Sequence, residues 1–295
     1  MRLRSFQALA EELGVPLAAE KTMGPEPRII YLGILLDSVL GLSRLPEDKL
    51  ATLRELLSAM RGRAKCTLRD MQVLMGHLNF ACKVVRPGRA FCACLAKATA
   101  GATAPQHHIR VTRAVKADLE VWSDFLEHYN GASMWLTPLS PGNSLQVQSD
   151  ATSSVGFGVF YDNCWCARRW PPDWQGSDLL RDLTFLEFFP ILVAVHIWRQ
   201  RFADQRVLFW CDNQAVVRVV NRQASRSERV MRLVRKFVLT CLEANILFCA
   251  RYIPGVNNKV ADAISRFQEE RFRTLAPSAS STSGEFPEEL WSLGS

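Results

Sequence analysis

The chain has 295 residues, 48% of them apolar and 22% charged, with 36 Lys+Arg against 29 Asp+Glu for a net charge of +7. That composition is globular and excludes a disordered chain, a collagen-like fibre or a small disulfide scaffold; the length predicts two domains, or one with a sizeable attachment. Nine cysteines, an odd number without a CxxC pair, predict reduced thiols in an intracellular protein, cytoplasmic or nuclear.

In chain order, residues 29–36 read as a buried strand, with Gly41-Leu42-Ser43 as its turn and return. Pro46 starts a helix over 47–61 that sets Leu50, Leu53, Leu56, Leu57 and Met60 at helical spacing. A second helix is predicted over 67–84 with Leu68, Met71, Leu74, Met75 and Leu78 on one face, and a third over 111–129 with Asp118, Glu120, Asp124 and Glu127 outward. Pro138 to Asn143 is a punctuated linker. Beyond it the strands 145–151, 155–161 and 164–170 follow at hairpin distances as an antiparallel meander. Then come a helix at 183–201, a strand at 206–211, helices at 213–221 and 227–244, a strand at 246–253 and a helix at 257–268. This order is an α/β domain, an antiparallel lobe with a parallel addition. Residues 269–295, rich in Ser, Pro and Glu, read as a disordered tail or linker. The longest apolar stretches, Ile29 to Leu36 and Phe188 to Trp198, fall short of the ~20 residues of a membrane span.

The charge is unevenly spread. Residues 44–116 carry 14 basic and 4 acidic groups, and residues 145–268 carry 16 and 11, whereas both termini are net acidic. Two basic blocks of this kind suit a polyanion partner, because each Lys or Arg near a phosphate releases condensed counterions. A merely solvated basic face has the same composition. Cys92/Cys94 and Cys164/Cys166 are weak zinc signals, better read as buried or half-buried strand and helix residues. Trp165, Trp170 and Trp174 read as packing residues rather than base-stacking platforms.

Four acids stand where a bland sequence has none. Asp150 and Asp212 end apolar strands, Glu187 lies within Phe185-Leu186-Glu187-Phe188-Phe189, and Asp262 lies within Val260-Ala261-Asp262-Ala263-Ile264. Burying unpaired carboxylates is costly, and clustered ones repel unless divalent cations neutralise them. Hard oxygen ligands without His suit Mg2+, with Mn2+ as a substitute, and a pair of such ions serves phosphodiester hydrolysis. Taken singly, each acid also fits a cap or a salt-bridge partner.

Ser149-Asp150-Ala151, Phe185-Leu186-Glu187, Trp210-Cys211-Asp212-Asn213 and the run Tyr252-Ile253-Pro254-Gly255-Val256-Asn257-Asn258-Lys259-Val260-Ala261-Asp262-Ala263-Ile264-Ser265-Arg266 resemble the RNase H domain of retroelement reverse transcriptases, of the gypsy and DIRS types. Asn221 to Ser227 leans toward DIRS. Upstream, Gly14-Val15-Pro16-Leu17 to Lys21 and Tyr31-Leu32-Gly33-Ile34 resemble the end of a polymerase palm and its primer-grip hairpin.

The resemblance implies a palm end over 1–45, a basic helical thumb or connection over 46–140, and an RNase H-like domain over 145–268 with a mixed five-stranded sheet flanked by helices. It further implies a metal-dependent endonuclease that cuts the RNA strand of RNA–DNA hybrids, with two Mg2+ held by Asp150, Glu187, Asp212 and Asp262. Nucleic acid would be touched by Asn213, Arg222, Arg226, Arg229, Arg232 and Asn258, the last of which would alternatively help hold the metal shell, and in the thumb by Lys65 and Arg69; Arg235 and Lys236 continue the basic ridge. His77 would pack helices or touch a nucleic-acid backbone. The partner beyond nucleic acid would be an upstream polymerase domain, with no membrane involved.

Departures from the family are equally plain. No YxDD aspartate pair occurs, and Tyr161-Asp162-Asn163 reads as a turn, so this chain alone is not expected to polymerise. The loop Pro254 to Asn258 lacks the His that many cellular RNases H carry before the last carboxylate. The same residues leave open a second reading, a retroelement remnant that binds nucleic acid without cutting it.

Overall fold

A computed structural model describes residues 3–128, 132–133 and 141–294; within the linker, Pro138 to Ser140 lie outside the described residues. The chain divides into two units, Met1–Thr137 and Pro138–Ser295.

The first unit begins with helix α1 (Leu3–Glu12) and strands β1 (Arg28–Tyr31), β2 (Ile34–Asp37) and β3 (Leu42–Arg44). The single strand predicted over 29–36 is in fact a hairpin, with Ile30 opposite Leu35 and Tyr31 opposite Ile34. Leu32 and Gly33 both take positive φ, 48° and 75°, which is the two-residue turn whose twist matches flanking strands. The apolar run masked this turn, since only Gly33 punctuates it.

Helix α2 (Glu47–Arg61) buries Leu50, Leu53, Leu57 and Met60. Strand β4 (Lys65–Thr67) leads into α3 (Leu68–Ala81), whose start is fixed by a capping box. Thr67 Oγ1 accepts from the Asp70 amide while the Thr67 amide donates to Asp70 Oδ2. After α4 (Ala93–Ala98), strand β5 (His108–Arg110) pairs antiparallel with β4, and α5 (Arg113–His128) precedes β6 (Ala132–Ser133), which pairs with β3. One expectation fails in α5. Glu120, Asp124 and Glu127 are exposed, but Asp118 is 2% exposed, inside the face that buries Val115, Leu119 and Trp122. Standing three residues after Val115 and four before Trp122, it falls on the apolar stripe itself.

In the second unit, β7 (Leu145–Ala151), β8 (Gly156–Tyr161) and β9 (Cys164–Arg169) form the predicted meander. Asp162 and Asn163 turn between β8 and β9 with φ of 47° and 61°, as the sequence indicated. Helices α6 (Leu183–Ile197) and α7 (Arg199–Phe202) lead to β10 (Arg206–Cys211). Then follow α8 (Gln214–Arg222), α9 (Glu228–Glu243), β11 (Leu247–Tyr252), α10 (Lys259–Ser265) and α11 (Glu269–Leu275). Strand β10 runs parallel to both β7 and β11, giving one mixed five-stranded sheet in the order β11-β10-β7-β8-β9. The α/β architecture with helices against a mixed sheet is as expected. Because β7 and β10 are parallel neighbours, Asp150 and Asp212 stand at the same, C-terminal end of the strands.

Helix α6 is buried almost all round, from Phe185 and Leu186 through Phe188 to Val195, which marks a central helix. The helix predicted over 257–268 is shorter. It ends at Ser265, where Phe267 takes φ 56° and the Gln268 amide bonds back to the Ala263 carbonyl.

The disordered tail expected over 269–295 is a correction. Its first residues form α11, and the chain then runs along the free edge of β9. The Ser280 amide donates to the Asn163 carbonyl (2.7 Å), the Gly284 amide to the Trp165 carbonyl (2.7 Å), and Trp165 Nε1 to the Ser280 carbonyl (2.8 Å). An edge strand is thereby covered. Phe286, Leu290 and Trp291 then close the aromatic core: Trp291 stacks on Phe189 with ring centres 5.2 Å apart, and meets Trp174 edge-on at 5.2 Å. Ser- and Pro-rich composition hid three apolar anchors that suffice to order the segment. Trp170 and Trp174 are buried and Trp165 is half-buried, packing residues as read from the sequence. Among the described residues, no helix is long and apolar enough to cross a membrane.

Candidate active site

The four acids come from four elements. Asp150 sits on β7 directly opposite Gly158 of β8 and is 5% exposed. Burial pushes its carboxyl up to about 6; the Ser265 hydroxyl bond pulls the other way, and the charges of Asp212 and Asp262 push further up. Glu187, on the first half of α6, is raised more, to about 9, first by burial and then by Asp150 and Asp212, with the Ala151 amide opposing. Its Oε2 is buried with no hydrogen-bond partner. Asp212, just past β10, is raised by burial and by Asp262 against its own backbone amide and Arg266.

Asp262 on α10 is built differently. Arg266 Nε lies 2.6 Å from its Oδ1 and Arg271 Nη1 lies 2.6 Å from its Oδ2. Burial raises its pKa, but the two guanidinium bonds outweigh that and leave it below the usual carboxylate value.

Cys211 adds a thiol to which the sequence reading gave no role beyond that of a reduced cysteine. Its Sγ and one carboxylate oxygen each from Glu187 and Asp212 all lie within 4.8 Å of one another. The thiol is fully buried, and burial pushes its pKa up, with Glu187 adding to the shift. At neutral pH it is a protonated neighbour that accepts the Asn213 amide. The signal for it was the strand run Trp210-Cys211-Asp212, in which it precedes a candidate ligand. Ser265, Arg266 and Arg271 were also missed as site residues; the first two stand in the Asp262 run, and the third in the segment read as a tail.

The structure sorts the predicted nucleic-acid residues. Asn258 is a correction: it is fully buried, with Nδ2 donating to the Ser149 carbonyl (2.9 Å), and its side chain is a strut between the α10 entrance and β7 rather than a surface contact. Asn213 is the N-cap of α8, its Oδ1 accepting from the Ala215 and Val216 amides. Arg222, Arg226 and Arg232 are exposed and Arg229 half-exposed, from the end of α8 to the outer face of α9. In the first unit Lys65 and Arg69 are exposed, and Lys65 stands opposite Arg110 across the β4–β5 pair. His77 is exposed, lining a groove of α2 and α3 with Lys49, Val73 and Phe80, so helix packing is not its role.

The donor set fits divalent cations. Oxygen ligands dominate, one carboxylate oxygen is buried and unsatisfied, and burial raises the pKa of Asp150, Glu187 and Asp212, with neighbouring acids of the cluster adding to each shift.

No family model matches the chain, and no curated protein matches it. Among solved structures it is similar to one described as "Structure of the foamy viral protease-reverse transcriptase dRH in complex with ds DNA", at 13% identity and a TM-score of 0.37. That match covers 85% of this chain and 42% of the other. A likeness of this degree establishes neither a shared fold nor a shared activity.

Proposed function

We propose that the chain is a divalent-metal-dependent endonuclease of the RNase H type, cutting the RNA strand of RNA–DNA hybrids as part of a retroelement reverse transcriptase. The observation that carries the reading is the convergence of Asp150, Glu187, Asp212 and Asp262. Three of them are held in a half-buried site where, without cations, their pKa values rise. Acids whose pKa values are strongly shifted by burial and by one another cluster at functional sites.

The residues divide the work. Asp150, most buried of the four, would be shared between two ions; Glu187 and Asp212 would complete one site and Asp262 the other. Bound there, divalent ions supply an activated water and a stabiliser for the leaving 3′-oxygen. Around them, the closed core under α6 excludes water from the buried side, and Asn258 fixes the loop that delivers Asp262. Arg222, Arg226, Arg229 and Arg232 offer charges to backbone phosphates, which position a duplex without reading its sequence. Selection for a hybrid would rest on 2′-hydroxyls displayed in a shallow minor groove.

In the first unit, Leu13, Val15, Ile30, Tyr31, Leu32 and Val39 are exposed among residues 1–40. Exposed apolar side chains of this kind suit cover by another protein domain, such as an upstream polymerase domain.

One observation favours the non-cleaving alternative: both oxygens of Asp262 are already taken by arginines. Labelled hybrid incubated with Mg2+ or Mn2+ decides. Metal-dependent cleavage by the wild type that disappears in Asp212→Asn supports the enzyme; retention of hybrid binding without cleavage supports the remnant.

A further inference from the structure

Helix α10 sits on β8 more closely than a side chain allows. A Cβ at Gly158 would meet the Ser265 amide nitrogen at 2.6 Å and Ile264 Cγ2 at 2.7 Å. Gly158 is the residue paired with Asp150 across the β7–β8 ladder. The missing side chain therefore admits the last turn of α10 directly beside the most buried acid of the site.

What arrives there is a hydroxyl. Ser265 is fully buried, and its Oγ lies 2.5 Å from Asp150 Oδ2 and 3.0 Å from the Asp262 carbonyl oxygen. A serine hydroxyl carries one proton. The bland alternative is a helix serine bonding back to its own preceding turn. The shorter distance and the charged acceptor assign the proton to Asp150, since charge-assisted O–H bonds are the short and strong ones.

We infer that Ser265 is a positioning residue that holds the Asp150 carboxylate in its metal-receiving orientation, and that Gly158 is the vacancy in the sheet that lets it do so. The inference rests on the metal-site reading above. Ser265 stands three residues after Asp262 on the same short helix, so one hydroxyl couples the strand that carries Asp150 to the helix that carries Asp262. The Asn258 bond to the Ser149 carbonyl ties the other end of that helix to the neighbouring residue of the same strand. Two acids from distant parts of the chain are thereby set relative to each other before any ion binds. Residues that orient metal ligands in this way are typically worth about 10–100-fold in metal affinity.

The test titrates the full chain with Mn2+, reading free ion by EPR without substrate, for wild type, Ser265→Ala and Ser265→Cys. Alanine leaves the space empty and cysteine fills it with a somewhat larger group that is a weak donor, so the pair separates packing from hydrogen bonding. Both variants are expected to bind Mn2+ about 10-fold more weakly. With hybrid substrate, the Mg2+ concentration for half-maximal cleavage should rise similarly, while the rate at saturating Mg2+ stays within about 3-fold. Wild-type affinity in Ser265→Cys overturns the inference, leaving Ser265 a packing residue. If the wild type binds Mn2+ but cuts no hybrid, the nuclease reading fails and the affinity ratio still decides the role of Ser265. If the wild type binds no Mn2+, both fall together.

Discussion

The two halves of the acidic cluster solve the same electrostatic problem in opposite ways. Asp150 and Glu187, on β7 and α6, are buried without a cationic partner and have raised pKa values of about 6 and about 9. Asp262, on α10, carries an arginine on each oxygen and has a lowered one. The buried half is therefore unfinished without cations, while the outer half supplies its own. The difference teaches that metal should act on the inner acids chiefly through charge, and on Asp262 through exchange with guanidinium.

The strongest break in that comparison is to remove an inner ligand. Asp212→Asn or Glu187→Gln should lower hybrid cleavage by at least ~100-fold, as expected when a metal-bound nucleophile loses its site. The same Glu187→Gln change should raise the melting temperature of the metal-free chain, because it removes a buried acid that cannot ionise cheaply. Thermal melts in EDTA check this, and a lower melting temperature would place a cation-free partner on Glu187 after all.

The next effect is on pH dependence. For Glu187 and Asp150 the folded-state pKa lies above the unfolded one, so the native state holds more protons. Their contribution to stability is complete below about 4 and is lost as pH rises toward about 9. Asp262 has the reverse sign, its contribution being lost only as pH falls through its lowered pKa. At ~1.4 kcal/mol per pKa unit, the loss on the alkaline side amounts to several kcal/mol. Metal-free melts from pH 5 to 9 should decline, Glu187→Gln should flatten the decline, and Mg2+ should reverse it by binding the ionised native state. A flat metal-free profile would contradict the raised values.

Much of this was legible in the sequence. The meander 145–170, the strand Arg206–Cys211 and the helix Glu228–Glu243 have strong periodicity and clear punctuation, and they stand as read. The four acids were visible because each interrupts an apolar run. What was illegible is what depends on non-local approach. The Leu32-Gly33 turn hides within apolar residues, and the tail 276–294 is ordered by Phe286 and Trp291 meeting the rings of Phe157, Trp174 and Phe189 more than a hundred residues earlier. Asn258 resembles a loop contact in one dimension and proves to be a buried strut in three. Ser265 and Arg271 acquire meaning only once α10 lies over β7 and β8 and α11 packs against α10.

That packing can be disturbed without touching an acid. Gly158→Ala would place its Cβ 2.6 Å from the backbone nitrogen of Ser265, an atom that cannot move without the helix. The expected cost is about 1–3 kcal/mol of stability, the usual range for overpacking. Metal affinity should fall with it, because the inner and outer halves are drawn apart. A variant with the stability cost but unchanged Mn2+ affinity would show that the halves bind independently.

The smallest effect sharpens the outer half. Arg271 and Asp262 are both partly exposed, their side chains 43% and 24% accessible, so solvent screens the pair and its worth is at most about 1 kcal/mol. Arg271→Ala should therefore shift the melting temperature by no more than a few degrees. Yet the guanidinium occupies the same oxygen a divalent ion would need, and removing a competitor strengthens binding. Mn2+ affinity should rise by roughly 2- to 5-fold, the equivalent of up to ~1 kcal/mol at 1.4 kcal/mol per tenfold. A fall in affinity would reverse the assignment: Arg271 would then hold Asp262 in place for the metal, and both halves of the cluster would be built by the same rule.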